Sequence, residues 1–303
     1  MSTCSDAPRG RLRSFLTASS AAALALTLGC HSLKLNSSSS DKTDVKTDAP
    51  AQASAAPAAP SKYSFRIAPY VFLSDFEVPR EQPLFVELAG MRDQIYKELQ
   101  LPPGNAVVQV YLFEDRDRYE HFMQSRYPDL PLRRAFFVAQ PRSIGGAEDL
   151  LVYTFWGDRI QQDLRHELTH ALLHSVIRDV PLWLDEGLAE YFELPPDKNG
   201  LNPAHLDSLR RGPLGPYKPD LARLEGLTEV KQMTPAEYRE SWAWVHLMLR
   251  DKPEAKAVLT NYLHQLHINA GPSSLEPKLA AVFPSPDEAF DRHLARLEAT
   301  AGH

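Results

Sequence analysis

Asp163-Leu164-Arg165-His166-Glu167-Leu168-Thr169-His170 is the stretch on which the reading of this chain turns, because two histidines stand four residues apart with a glutamate directly after the first. On a helix, residues four apart lie one above the other, so His166 and His170 present their imidazoles to one side while Glu167 points about 100° away. Leu164, Leu168, Ala171 and Leu172 fall on the opposite arc. The helix therefore buries an apolar face and turns its histidines towards a cleft. A His-Glu-x-x-His run on such a helix is a zinc-site signal, with the glutamate placed as a base beside the metal. Alone, the run also fits an ordinary amphipathic helix, and a second acidic segment downstream decides between the two.

Zinc in catalytic sites takes three protein ligands and leaves a fourth position for water, so one further donor is required. Pro181-Leu182-Trp183-Leu184-Asp185-Glu186-Gly187-Leu188-Ala189-Glu190-Tyr191-Phe192 offers it. Its proline suits a first helical turn, and Pro195-Pro196 closes the segment, which predicts a short second helix. At 100° per residue, Glu186 and Glu190 share a face with Leu182 and Ala189, whereas Leu184, Leu188 and Tyr191 form a separate apolar stripe. Asp185 falls nearer Phe192, away from the acidic face. Glu186 is the expected third ligand, and Glu190, one turn on, the expected partner that orients an imidazole. His174 continues the histidine row, but about 12 Å of helix separate it from His166, so one ion cannot bind all three. It reads as a residue behind the site or at the helix end.

His166-Glu167-Leu168-Thr169-His170 followed by Trp183-Leu184-Asp185-Glu186-Gly187-Leu188-Ala189 resembles the gluzincin metallopeptidases, the thermolysin-like and aminopeptidase-like group. The Glu-Gly-Leu-Ala-Glu-Tyr-Phe version is similar to a bacterial, peptidase-MA-like branch with many exported members. The resemblance covers residues 160 to 193, with weaker likeness in the flanking strands and Ser241-Trp242. It implies Glu186 as third ligand of a single Zn2+ ion, Glu167 as general base, and a peptide or protein substrate. It also implies that the strand before the metal helix borders the cleft and pairs with an extended substrate, although a purely structural strand fits that stretch equally well.

Over 303 residues the formal net charge is -6, which allows one large or two small domains. The first 29 residues hold Arg9, Arg11 and Arg13 against Asp6, a local +2, which leaves -8 for the rest and excludes a nucleic-acid-binding body. Those arginines precede the apolar run Ala21 to Leu28 and Gly29-Cys30, a signal-peptide layout over residues 1–29 with a run too short to span a bilayer. A small residue then cysteine resembles a bacterial lipobox, which implies lipid on Cys30 and a membrane anchor at the cell envelope. Plain secretion is the other reading. Cys4 and Cys30 are the only cysteines, so the folded body has neither disulfides nor thiolate ligands. Residues 30–61 are Ser-, Ala- and Pro-rich with almost no bulky apolar groups, a composition that cannot build a core and reads as a tether.

The body then alternates. Tyr63 to Ile67 and Tyr70 to Leu73 read as strands, 80 to 99 as a helix, Val107 to Phe113 as a strand and Asp115 to Arg126 as a helix. Arg134 to Val138 and Leu150 to Trp156 read as two more strands, the second running into the metal helix. Thr234-Pro235-Ala236-Glu237 is a capping box that opens a helix carrying Tyr238, Trp242, Val245 and Leu249 on one face, and Ser285-Pro286 opens the last helix.

The expectation is an α+β, zincin-like (thermolysin-like) domain: a small mixed sheet and two site helices over 62–196, and a helical C-terminal subdomain over 197–303 that closes the far side of the cleft. Gluzincins generally add a Tyr or His donor for the oxyanion, and Tyr238 is the candidate, set against its reading as a core aromatic. The competing functions are a non-catalytic zinc-bearing surface module that holds a peptide or partner, and an interaction protein in which the motif is structural.

Overall fold

Strand residues here alternate between two apolar layers, and that alternation fixes the architecture. The structure, a computed structural model, describes residues 57–142, 148–212, 215, 217–268, 271 and 273–301. The leader, Cys30 and the tether up to residue 56 lie outside them. Strands β1 (Tyr63–Ile67), β2 (Tyr70–Ser74) and, after helix α1 (Pro83–Leu99), β3 (Val108–Phe113) are followed by α2 (Arg116–Arg126), β4 (Ala135–Pro141) and β5 (Glu148–Phe155). They form one five-stranded sheet in the order β1-β2-β3-β5-β4. The sheet is mixed: β2, β3 and β5 run parallel to one another, while β1 and β4 pair antiparallel at the two edges.

Successive strand residues point to opposite faces. Phe136, Val138, Leu151, Tyr153 and Phe155 pack with Tyr119, Phe122 and Met123 of α2. Phe72, Val110, Phe137, Leu150 and Val152 face the main core with Leu88, Met91 and Ile95 of α1. In that core lie the apolar residues of α3 (Ile160–His174) and α4 (Leu182–Phe192).

The order of the strands corrects one expectation. The strand that leads into α3, β5, is hydrogen-bonded on both sides, to β3 and to β4. Its backbone has no edge to offer a substrate. That edge belongs to β4, whose first residue, Ala135, borders the cleft.

After α4 the chain is helical: α5 (Pro203–Arg211), α6 (Leu221–Glu225), α7 (Pro235–Arg250), α8 (Pro253–His267), α9 (Glu276–Ala280) and α10 (Pro286–Ala301). The capping box at the start of α7 is formed in both directions: Thr234 accepts from the Ala236 N–H at 3.2 Å, and Glu237 accepts from the Thr234 N–H at 2.7 Å. Trp242, Trp244 and Phe290 join the same buried cluster as Leu164 and Trp183, so the core is continuous across residue 196. The protein is thus an α+β fold with a small mixed sheet and a helical C-terminal half.

Helix α4 lies directly on α7, and Gly187 is what permits it. A Cβ added there would sit 2.6 Å from the backbone oxygen of Ser241 and 2.9 Å from a Val245 methyl. The glycine after Glu186 therefore has a packing reason: it lets α4 settle against the helical half. No helix among the described residues is long and apolar enough to cross a membrane.

Candidate metal centre

Three side chains from two helices meet at one point. His166 and His170 project from α3 one turn apart, with ring centroids 5.1 Å from each other. Glu186 enters from α4, and its Oε2 lies 3.5 Å from His166 Nε2 and 3.7 Å from His170 Nε2. The three donor atoms fall within 4.8 Å of one another. Donors held about 2.1 Å from one ion at tetrahedral angles lie about 3.4 Å apart, close to the two separations from Glu186. Two neutral imidazoles and one carboxylate are also the nitrogen and oxygen chemistry that zinc accepts.

Each imidazole turns its Nε2 to this point because its Nδ1 is held from behind. Asp185 Oδ1 lies 3.0 Å from His170 Nδ1, and Asp185 Oδ2 lies 3.1 Å from His174 Nε2. Glu193 Oε2 lies 3.3 Å from His166 Nδ1, and its other oxygen accepts from Gln162 at 2.6 Å. Phe137 of β4 stacks along the rings of His170 and His174. A carboxylate behind a ligating histidine fixes its tautomer and raises its basicity.

These partners correct the expectations drawn from helical phase. Asp185 does turn away from the face of Glu186, but that places it behind the His170 ring, so consecutive residues of α4 address both nitrogens of one imidazole. Glu190 is not the group that orients a ligand: it pairs with His205 at 2.7 Å. Glu193 takes that place, and a signal for it existed. Seven residues separate it from Glu186, two helical turns, so the two share an azimuth to within about 20°. Ending the segment at Phe192 hid it. His174 stands where the sequence put it, at the helix end behind the site. His205, on α5, carried no signal beyond a lone histidine in a polar segment.

Electrostatics agree with a centre built for a cation. Burial alone would lower the His166 imidazolium, yet the adjacent Glu186 and Glu193 carry it well above its ordinary range. His170 is also lowered by burial and raised on balance by Asp185. For Asp185, burial would raise the carboxyl, but the His170 and His174 rings hold it far below the usual carboxylate range. Positive charge is attracted to these atoms, and protons compete for them with a metal. Glu167 differs: burial pushes its carboxyl up.

A cleft of about 430 Å³ opens beside this point, bordered by His166 and Glu167 on one wall and by Pro235, Tyr238 and Arg239 of α7 on another. Tyr238 is half-buried there, unlike Trp242 and Val245 of the same helix, which are fully buried. Its ring packs on Leu182 and Met233 while its hydroxyl accepts from Arg133 at 2.8 Å. Both readings of Tyr238 thus have a physical basis: an apolar seat and a hydroxyl at the cleft.

No protein-family model matches this chain, and no curated protein matches it significantly. The functional reading therefore rests on the geometry and on the motif.

Proposed function

We propose that the protein is a zinc-dependent peptidase of the gluzincin kind, zincin-like in fold. It would work at the bacterial cell envelope, where the leader would export it and lipid on Cys30, with the tether, would hold it at the membrane. The observation that carries the reading is the single Glu186 oxygen set 3.5 and 3.7 Å from the two Nε2 atoms, with the buried Glu167 at the cleft wall beside them.

His166, His170 and Glu186 would hold a zinc ion, which would supply Lewis acidity and lower the pKa of a bound water. The chain's own groups do the rest. Glu167 accepts the proton of the attacking water and later returns it to the leaving amine. The Tyr238 hydroxyl, which accepts from Arg133, would donate to the oxyanion. Asp185 and Glu193 keep both imidazoles in register, and the free edge of β4 offers backbone hydrogen bonds to an extended peptide.

Glu167→Gln tests this reading, because glutamine keeps the size and cannot accept the proton. Expected is a protein that binds zinc like wild type while hydrolysis of a susceptible peptide falls by about 10² to 10⁴. Wild-type turnover by the zinc-loaded variant would refute the mechanism. A wild type that binds zinc and peptides but cuts none would favour the non-catalytic surface module.

A further inference from the structure

We propose that the cleft selects substrates with a carboxylate close to the scissile bond, received by Arg239 and Arg159. The bond to be cut rests on the peptidase reading; the carboxylate rests on the cleft itself.

Bulk charge does not decide the matter, since four arginines and four acidic residues border the cleft. What decides it is which of them are already engaged. Asp163 accepts from Arg134 at 3.0 Å, and Arg134 also reaches Asp158 at 2.9 Å, so that cation is spent on the protein. Glu190 is held by His205, Glu193 by His166 and Gln162, and Glu167 stands beside the metal centre.

Arg133 donates to the Tyr238 hydroxyl at 2.8 Å, and the two remaining guanidiniums differ from it and from Arg134. Arg159, exposed at the start of α3, donates to the neutral amide oxygen of Gln162 at 3.1 and 2.8 Å and makes no ion pair among the described residues. Arg239 follows Tyr238 on α7, is half-buried, and has no hydrogen bond or ion pair among the described residues. A guanidinium has five N–H donors in a fork that matches a carboxylate. Partial burial of Arg239 strengthens that attraction over its value in open water. Tyr238 and Arg239 line the same cleft as His166 and Glu167, so a carboxylate on Arg239 would share that cleft with the bond to be cut.

The carboxylate has two sources, an acidic side chain or a free C-terminus, and one experiment separates them. Zinc-loaded Glu167→Gln is titrated with four fluorescein-labelled peptides of one apolar sequence. One has Asn inside and an amidated end, one Asp inside, one a free C-terminus, and one both acids. Fluorescence anisotropy gives the dissociation constants. A charge-assisted pair tightens binding by about tenfold or more. The expected result is that advantage for the Asp or the free-acid peptide over the neutral one, shrinking as salt rises. Adding Arg239→Gln or Arg159→Gln should reduce it to about threefold or less, with melting temperatures unchanged. Preference for Asp assigns the side chain, and preference for the free end assigns the terminus. Equal binding of all four peptides, no binding of any, or an advantage that survives both arginine replacements overturns the proposal. Casein digestion by wild type is the separate control. If casein is cut without an acidic preference, only this inference falls. If acidic peptides bind through Arg239 and nothing is cut, the peptidase reading falls instead.

Discussion

Gly187→Ala adds one methyl group at the crossing of α4 and α7, next to the third ligand. The new Cβ would stand 2.6 Å from the Ser241 oxygen and 2.8 Å from its carbonyl carbon, both backbone atoms of α7 that cannot rotate away. Ordinary contact begins near 3.4 Å, so the two helices must part by up to about 0.8 Å where they are closest. Overpacking of this kind costs about 1–3 kcal/mol. Replacing a helical glycine by alanine returns about 1 kcal/mol. The balance is a loss of up to about 2 kcal/mol, and for a body of this size each kcal/mol lowers Tm by about 2–4 °C. Movement of α4 also carries Glu186 away from the two imidazoles, which already lie 3.5 and 3.7 Å from it. Calorimetry in the presence of chelator isolates the packing loss, and competition with a fluorescent zinc chelator then reads the affinity. A Gly187→Ala protein that melts at or above wild type and holds zinc equally tightly would show that helix propensity met no opposing contact, and the close crossing would not be what Gly187 is for.

Three further outcomes are expected. Asp185→Asn should weaken zinc binding by about 10- to 100-fold, the usual effect of losing the carboxylate behind a ligating histidine; unchanged affinity in a metal competition assay would remove Asp185 from the centre. His246 and His293 share a contact of 2.9 Å in the helical half. Burial, with its neighbour's charge, lowers His246 to about 3, and burial lowers His293 to about 4. Both stay neutral when folded and take protons near pH 6.5 when unfolded. Their contribution is complete above that pH and is lost as pH falls towards their folded values, by about 1–2 kcal/mol per group between pH 7 and 5. Zinc-loaded His293→Asn should lose stability less steeply than wild type over that window in denaturant melts, and equal slopes would contradict the assignment. Tyr238→Phe should cut kcat by about 10²-fold or more with Tm unchanged if the hydroxyl meets the oxyanion; normal turnover would leave Tyr238 as a packing residue.

Local signals carried much of the fold. Alternating residues marked Tyr63 to Ile67 and Tyr70 to Leu73, an apolar stretch marked Val107 to Phe113, and the Thr234 capping box fixed where α7 begins. Strand order was not legible, because pairing depends on contacts between distant segments that periodicity does not record. The resemblance implied β5 as the strand at the cleft, beside its reading as a purely structural strand, and β4 holds the edge. At the site, helical phase brought His166, His170 and Glu186 to one point but described only the face turned to the ion. Asp185 and Glu193 act from behind the rings, on nitrogens that a helical wheel does not represent. Arg239 and His205 depended on which helices flank the cleft, information absent from any local window.

Anomalous diffraction at the zinc edge, from crystals of the wild-type body grown with zinc, puts the metal centre to a direct test. Expected is one strong peak about 2.0–2.2 Å from His166 Nε2, His170 Nε2 and Glu186, with no fourth protein ligand. No peak at that point, or a peak closed by four protein ligands, would contradict the assignment of an open catalytic zinc site.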